Sequence, residues 1–533
     1  MRDYIENYMW TIKMNDNQLK TLYINITKNR GKPLDFWEIA ALLEVYGIRD
    51  IDAQNEYGFD DVFAMARYLE KFKDQIKYAT KNKKDEKEPI LAVRIVQNYI
   101  KGLAFAMPML VQILFTLIIG YAIWSGMDMD RTKATVIALG TFLALLITGG
   151  VAQAIGRKGL FYLKQKEYIL ASLVTRKLLK VAVGIMIIVG IFFIALNMFF
   201  EILPTYYFYV LITFYFLLSI LFFNISVFQM FEEYYTILLF FVIGIIFVYI
   251  FHTMEGIALP EAQFLALVAL NTILSIYTWY RLKKLKKLSV GEGELVPRNS
   301  VMFYTLMPFY IYGFLYFSLL IADKVIAWSV IKEAMPYFIW FDVPYELGTD
   351  WALLILILLM GLAEVSIYEF IYRINENIKK IDYRDYKVFN QMLKDFYMKF
   401  NYIYVIFAVF TIFFVYIVVY EIYIHYGFGN LEDFFKVPTP YIYWFAGISY
   451  IFLVHALINV LFIFAFSRQL FAVKSIGIAI MIDVVVGLIL SRTLGLEYAV
   501  VGLLVGSVFF WYYSFRYIMK MFKNLEFYYY SAI

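Results

Sequence analysis

The chain has 533 residues, of which 62% are hydrophobic, 20% aromatic and 17% charged. Soluble globular proteins are about 45–50% apolar and about 25% charged, so this composition excludes an ordinary soluble protein and predicts a polytopic membrane protein. The net charge of +5 is too small to favour nucleic-acid binding, and the lack of cysteine excludes disulfides and thiolate chemistry. Three scattered histidines form no metal-binding motif, so we expect neither a metal nor a cofactor.

The first 80 residues are polar and predict a small helical cytoplasmic module. Both "DFWEIAALLEVYGI" and "DDVFAMARYLEKFKDQI" place apolar residues at the helical spacing, with Asp60 or Asp61 as N-cap of the second segment. A charged linker and an interfacial helix are expected over 81–101. The absence of an apolar signal segment indicates that the N-terminus is not exported.

Twelve apolar spans follow, each near the length that crosses a bilayer. They predict a first six-helix bundle over 102–280, a basic linker over 281–302, a second six-helix bundle over 303–519 and a tail over 520–533. Loops 157–180, 281–300 and 373–401 hold seven, six and seven Lys or Arg, whereas the alternate loops hold at most two. This asymmetry predicts that both termini lie in the cytoplasm. We expect the membrane itself to be the inner membrane.

The two halves resemble each other. Met107-Pro108 and Met307-Pro308 occupy the same place in the first and seventh spans, and we expect Pro108 and Pro308 to kink those helices. The second and eighth spans match when Gly150 is aligned with Gly361, which sets Gln153 opposite Glu364. Such parallel repeats place a substrate cavity between the halves.

Some polar residues within the spans are candidates for the wall of that cavity. A carboxylate in hydrocarbon is costly and therefore marks a pathway or a buried partner. The candidates are Glu364, Asp483, His455, Asn459, Gln153 and Tyr368. A structural hydrogen bond between helices is the alternative for each acidic or imidazole group.

A second set of charges lies near the span ends. We expect Asp323 and Lys324 to be surface charges at the outer end of the seventh span, and Glu369 and Arg373 to form a local ion pair. Arg157 and Lys158 belong to a basic stretch that we expect to touch anionic lipid headgroups.

Enzyme motifs are largely missing. The sequence holds no Walker A motif, no HExxH and no serine nucleophile elbow. Asp128 and Asp130 in "SGMDMDRT" are the one feature that favours a membrane-embedded glycosyltransferase.

Three stretches are similar to one known family: "GGVAQAIGRKGLFYLKQKEYILAS", "YGFLYFSLLIADKVIAW" and "FRYIMKMFKNLEFYY". They resemble the PelG-like membrane subunit of an exopolysaccharide export system, in the multidrug/oligosaccharidyl-lipid/polysaccharide (MOP) flippase superfamily. The resemblance covers roughly residues 95–533. It implies two six-helix bundles around a central cavity and export of a hexosamine-rich polymer made by a cytoplasmic glycosyltransferase.

We therefore expect an all-α transporter, not an enzyme, that exports an exopolysaccharide or flips a lipid-linked glycan. Its expected partners are the glycan, membrane lipids, a cytoplasmic glycosyltransferase and other synthase subunits, with no nucleic acid. A cation- or proton-coupled exporter of small molecules is the first alternative. A glycosyltransferase and a non-transporting scaffold are further ones.

Overall fold

The computed structural model describes residues 16–27, 33, 35–73, 75, 90–127, 129–287, 299–330, 337–378, 381, 385–426, 435–436 and 438–530. These residues are almost entirely α-helical, which confirms the all-α prediction. The helices are α1 (Asp16–Thr27), α2 (Phe36–Val45), α3 (Asp50–Asn55), α4 (Val62–Leu69), α5 (Leu91–Ile119), α6 (Arg131–Lys164), α7 (Tyr168–Phe200), α8 (Thr205–Met230), α9 (Tyr234–Tyr249), α10 (Leu259–Lys287), α11 (Asn299–Trp328), α12 (Val343–Ile378), α13 (Tyr386–Tyr426), α14 (Thr439–Ala465), α15 (Gln469–Thr493), α16 (Ala499–Met521) and α17 (Leu525–Tyr530).

The chain divides into two compact units, residues 1–94 and 95–533. In the first unit, α1 to α4 surround a small core that includes Tyr23, Leu43 and Met65. Asp61 caps α4, since its carboxylate accepts the Ala64 amide at 2.6 Å, and this confirms one of the two predicted N-caps.

The second unit contains the twelve helices long and apolar enough to span a membrane, α5 to α16, as the sequence predicts. We call the side at which α6 ends and α7 begins the basic side, because the Lys- and Arg-rich loops lie there. The segment expected as a separate interfacial helix is instead the beginning of α5, which runs unbroken from Leu91. The domain boundaries and the cytoplasmic orientation stay predictions.

The first bundle, α5 to α10, has α6 as a central helix. Gly140 lets α6 approach α8 closely, because a Cβ there would lie 2.7 Å from the Leu211 carbonyl oxygen. Gly159 makes the same kind of contact with the Met230 sulfur. Small residues of this kind let membrane helices pack on their backbones.

The second bundle, α11 to α16, uses a Gly-x-x-x-Gly face in the same way. Gly502 and Gly506 of α16 lie against the turn of α15 that carries Asp483, and a Cβ on Gly502 would come within 2.5 Å of the Asp483 carbonyl oxygen. This packing seals Asp483 inside the bundle. The large core of this bundle includes Trp351, Tyr443 and Phe510.

Candidate functional site

The two bundles approach each other closely at several glycines, two of which pack on a tyrosine ring. Gly150 of α6 lies against Tyr310 of α11, where a Cβ would come within 2.6 Å of the ring. Gly361 of α12 lies against Tyr99 of α5, where a Cβ would come within 2.5 Å of the ring. In each contact, the second helix of one half places a glycine on a tyrosine of the first helix of the other half. The glycines are equivalent in the repeat but the tyrosines are not, since Tyr99 lies nine residues before Pro108 and Tyr310 two residues after Pro308.

The interface is held together on the side opposite the basic side. There the Arg131 guanidinium donates to the Phe341 carbonyl, lies 3.5 Å from Asp342 and stacks 5.3 Å from the Trp340 ring centroid. The Phe341 amide donates to the Thr135 hydroxyl at 3.1 Å. These contacts join the start of α6 to the segment before α12.

Glu364 lies on α12 at the bundle interface, one turn towards the basic side from Gly361. Its side chain is partly buried. Three charged residues of the first bundle, Glu232, Lys101 and Lys164, act on its carboxylate electrostatically. Glu364 therefore faces the other bundle rather than lipid alone.

Gln153 and Arg157 of α6 also lie at this interface. Both are exposed, although a Cβ on Gly313 of α11 would lie 2.9 Å from Gln153 Cγ. The Arg157 guanidinium lies 5.3 Å from the Phe309 ring centroid on α11. Polar and aromatic groups of both bundles thus line the basic half of the interface, where α6 side chains stay accessible.

Other sequence candidates lie elsewhere on the same helices. Tyr368 is 40% exposed, one turn after Glu364. Lys158 stacks on Phe161 and Tyr162 of its own helix rather than across the interface.

The charges expected near the basic end of α12 differ in burial. Glu369 is only 3% exposed, and its ion pair with Arg373 stays a prediction. The Arg373 guanidinium lies 4.6 Å from the Phe396 ring centroid on α13.

The two helix prolines do not interrupt their helices. Pro108 lies inside α5 and Pro308 inside α11, and both helices continue past them. The kinks stay a prediction.

Asp323 and Lys324 are not surface charges, contrary to our expectation. Asp323 is fully buried and Lys324 is 6% exposed. The reason is that α12 begins at Val343, about two turns before the eighth span that the sequence predicts over 351–372, and brings acidic partners over the end of α11. The Lys324 ammonium pairs with Glu346, donates to the Thr349 hydroxyl at 2.8 Å and lies 3.8 Å from Asp350.

Asp323 points to a different partner. The Tyr345 hydroxyl donates to its carboxylate at 2.8 Å, while its other oxygen has no hydrogen-bond partner. The charge of Asp323 also acts on Asp483 of α15, which is fully buried with both carboxylate oxygens unpartnered. The hydroxyl of Tyr450 on α14 is buried beside this group and likewise unpartnered.

We call Asp323, Lys324, Glu346, Asp350 and Asp483 the buried charge cluster. The carboxylates of Glu346, Asp350 and Asp323 act electrostatically on the single Lys324 ammonium. The Asp350 side chain is 50% exposed, whereas those of Asp323 and Asp483 are fully buried. Full ionisation of the buried carboxylates would leave an uncompensated charge inside the bundle, which is strongly unfavourable. Among the described residues, no group of three or more His, Asp or Glu side chains has the geometry of a metal site.

Two further candidates lie in the interior of the second bundle rather than at the bundle interface. His455 bonds Asn401 at 2.9 Å and packs on the ring of Tyr404. Asn459 accepts from the Tyr397 hydroxyl at 2.7 Å and donates to Ser514 at 3.1 Å. Both side chains therefore join helices of one bundle, which for His455 is the structural alternative given above.

Sequence reasoning missed the acidic partners on α12. Glu346 and Asp350 are one helical turn apart, and this spacing is the signal that could have extended the helix over them. Asp130 precedes α6 without capping it, and Asp128 lies outside the described residues.

Comparison with solved structures shows the same architecture. The chain is similar to an outward-facing multidrug-resistance MATE-family transporter of the MOP superfamily, with a TM-score of 0.54 and 14% identity over 82% of this chain and 97% of that one. It is also similar to a MOP-superfamily transporter from Pyrococcus furiosus, whose binding pocket is described as having reverse polarity, with a TM-score of 0.56 and 13% identity over 81% and 96%. A MATE transporter in the bent conformation gives a TM-score of 0.53 and 14% identity over 82% and 96%.

No family model and no curated protein matches the sequence. At these identities the likeness establishes the fold. The chain thus has the multi-pass fold of MATE-type transporters, and these neighbours are transporters rather than enzymes.

Proposed function

We propose that the protein is an exporter that moves a polysaccharide or a lipid-linked glycan across the membrane between its two bundles. The observation that carries this proposal is the position of Glu364, which faces charged and aromatic groups of the first bundle across the bundle interface. Carboxylate, amide and hydroxyl groups bind sugar hydroxyls, and aromatic rings offer apolar faces to sugar rings. The likeness of three stretches to the PelG-like family supports a glycan as substrate.

Transport would proceed by alternating access. One bundle would tilt against the other about the glycine contacts. The Arg131 contacts would break when the side opposite the basic side opens. Substrate would enter from the basic side, where Gln153 and Arg157 are accessible.

A second candidate function is export of small molecules coupled to protons or another cation. The buried charge cluster favours it, because unpartnered carboxylates inside a bundle bind and release protons. Proton coupling is also compatible with glycan export. The two candidate functions therefore differ in the substrate that is exported and not in the coupling.

The test is to delete the gene in its native host and measure secreted glycan and drug sensitivity together. Loss of glycan with unchanged drug sensitivity supports glycan export. Increased drug sensitivity with normal glycan contradicts it and favours the second candidate.

A control complementation separates transport from enzymatic synthesis. Asp130→Asn would restore glycan export under the transporter proposal, since Asp130 lies at the start of α6 on the surface opposite the basic side. Failure of that variant at normal protein level would favour a glycosyltransferase.

A further inference from the structure

A pocket of about 1000 Å³ lies on the basic side of the second bundle, away from the bundle interface. Its walls are the start of α13, the start of α15 and the end of α16. The charged residues that line it are Lys387, Lys394, Arg516, Lys520 and Lys523. Lys387 and Lys394 lie two turns apart on one face of α13, so the helices bring these cations together around one opening.

The pocket carries an excess of positive charge. Among the described residues, none of the five cations forms a salt bridge. The carboxylates at its margin bind amides instead: Asp395 accepts from Gln391 at 2.8 Å, and Glu526 accepts from Asn390. The five cations outnumber these two carboxylates, so an anion at the pocket would meet a net positive charge.

The floor of the pocket is aromatic. Phe471 of α15 stacks on Tyr517 of α16 with ring centroids 3.8 Å apart. Phe515 also lines the pocket and packs on Tyr397 of α13. The Arg516 guanidinium donates to the Tyr512 hydroxyl at 3.3 Å and lies 5.8 Å from the centroid of the same ring.

The arrangement matches a molecule with an anionic head and an apolar body. Arg516 lies five residues before the end of α16, about 7.5 Å along the helix at a rise of about 1.5 Å per residue. The cations thus lie at the basic ends of α13 and α16, beside the Phe471–Tyr517 ring pair. Basic pockets between membrane helices bind lipid phosphates in this manner.

We infer that this pocket binds the phosphate headgroup of an acidic glycerophospholipid, with the acyl chains along the aromatic floor. The site lies on the outer surface of one bundle, so it is independent of the transport proposal. Its occupant would hold the basic ends of α13, α15 and α16 together.

Lysines at helix ends also serve simply to orient a protein in the membrane. The experiment must separate that role from specific binding of a lipid in the pocket. The test variant is Lys394→Gln/Arg516→Gln/Lys520→Gln. The matched control is Lys284→Gln/Lys286→Gln/Lys287→Gln on α10, which removes the same charge from exposed lysines on the same side of the first bundle.

Purified full-length protein would be titrated with phosphatidylglycerol and, separately, phosphatidylcholine, and bound lipid counted by native mass spectrometry. We expect phosphatidylglycerol to bind the pocket variant roughly 100-fold more weakly than the unmodified protein, about fivefold for each lost charge. The control variant is expected to bind like the unmodified protein.

Three results would overturn the inference. Equal weakening in both triple variants would mean diffuse surface charge rather than a site. Equal binding of phosphatidylcholine would mean that the headgroup charge is not recognised. Displacement of the lipid by millimolar inorganic phosphate would assign the pocket to a soluble phosphate instead.

Discussion

Gly361 of α12 lies so close to Tyr99 of α5 that a Cβ on the glycine would come within 2.5 Å of the ring. The Tyr99 hydroxyl also donates to the Leu358 carbonyl at 3.1 Å. On the other pair of helices, Gly150 of α6 lies against the ring of Tyr310 on α11. Glycines on the second helix of each half thus let the two bundles approach closely.

Gly361→Val should disturb this contact and reduce transport. Overpacking costs about 1–3 kcal/mol. Here the cost arises only in the arrangement of the two bundles in which α5 and α12 are in contact. The measurement is export per molecule of membrane-inserted protein. The control is Gly184→Val on α7, where a Cβ meets nothing within 4 Å, and equal loss in both variants would contradict this reading.

Cross-linking Arg131→Cys to Asp342→Cys with a reducible bifunctional thiol reagent should stop transport reversibly. The Arg131 guanidinium lies 3.5 Å from the Asp342 carboxylate across the bundle interface, so the two positions lie within reach of such a reagent, and the chain has no cysteine of its own to interfere. Export would be measured before and after reduction of the cross-link.

The control pair for this cross-link lies within the first bundle. Arg281→Cys/Glu233→Cys replaces a salt bridge of α10, and linking it should leave export unchanged. Full export through a protein linked at positions 131 and 342 would show that the bundles do not separate there.

Lys324→Met should strongly destabilise the second bundle. Removing one member of a buried ion pair costs about 3–5 kcal/mol, since Glu346 would lose its ammonium partner. The measurement is thermal unfolding of the purified protein in detergent. An unchanged melting temperature would mean that Glu346 is already protonated and neutral beside Lys324.

Asp483→Asn should instead preserve stability and abolish the response of transport to a proton gradient. Both Asp483 oxygens lack partners, so an amide of similar shape replaces a costly carboxyl without breaking a bond. The measurement is export with and without an imposed pH gradient. A normal gradient response at normal protein level would exclude Asp483 from coupling.

The contact between α1 and α4 should weaken in acid. The Tyr68 hydroxyl, followed by the Lys71 ammonium, donates to Asp16 and lowers the pKa of its carboxyl below the ordinary value of 3.8. The contribution is fully present above the unfolded-state pKa of about 3.9 and disappears as the pH falls through the lowered folded-state pKa. The protection of the α1 amides from hydrogen exchange, relative to their intrinsic exchange rate at each pH, should therefore fall in acid in the unmodified protein.

Asp16→Asn is the matched variant for this measurement. It should show faster α1 exchange at neutral pH and a smaller change in acid. Identical pH profiles for the two proteins would mean that Asp16 does not hold α1 in place.

The sequence predicted the twelve membrane helices because each span is long and apolar enough to be recognised from its composition alone. It also placed Gln153 and Glu364 at equivalent positions of two repeats, and both lie at the bundle interface. The error at Asp323 and Lys324 has a physical cause: their partners are on the next helix, and sequence alone cannot show which helices pack together. His455 and Asn459 illustrate the same limit, since a polar stripe on one helix does not reveal whether a cavity or a hydrogen-bonding neighbour faces it.

The most direct test of the central claim is the export of glycan by cells that carry Glu364→Gln, with the membrane level of the protein measured alongside. Glu255→Gln, on an exposed turn of the opposite side, is the matched control. We predict that export falls about tenfold to 100-fold at normal protein level, the effect of losing one hydrogen bond from a charged group to the substrate. Unchanged export would contradict the account, because Glu364 would then be a structural carboxylate rather than part of the transport path.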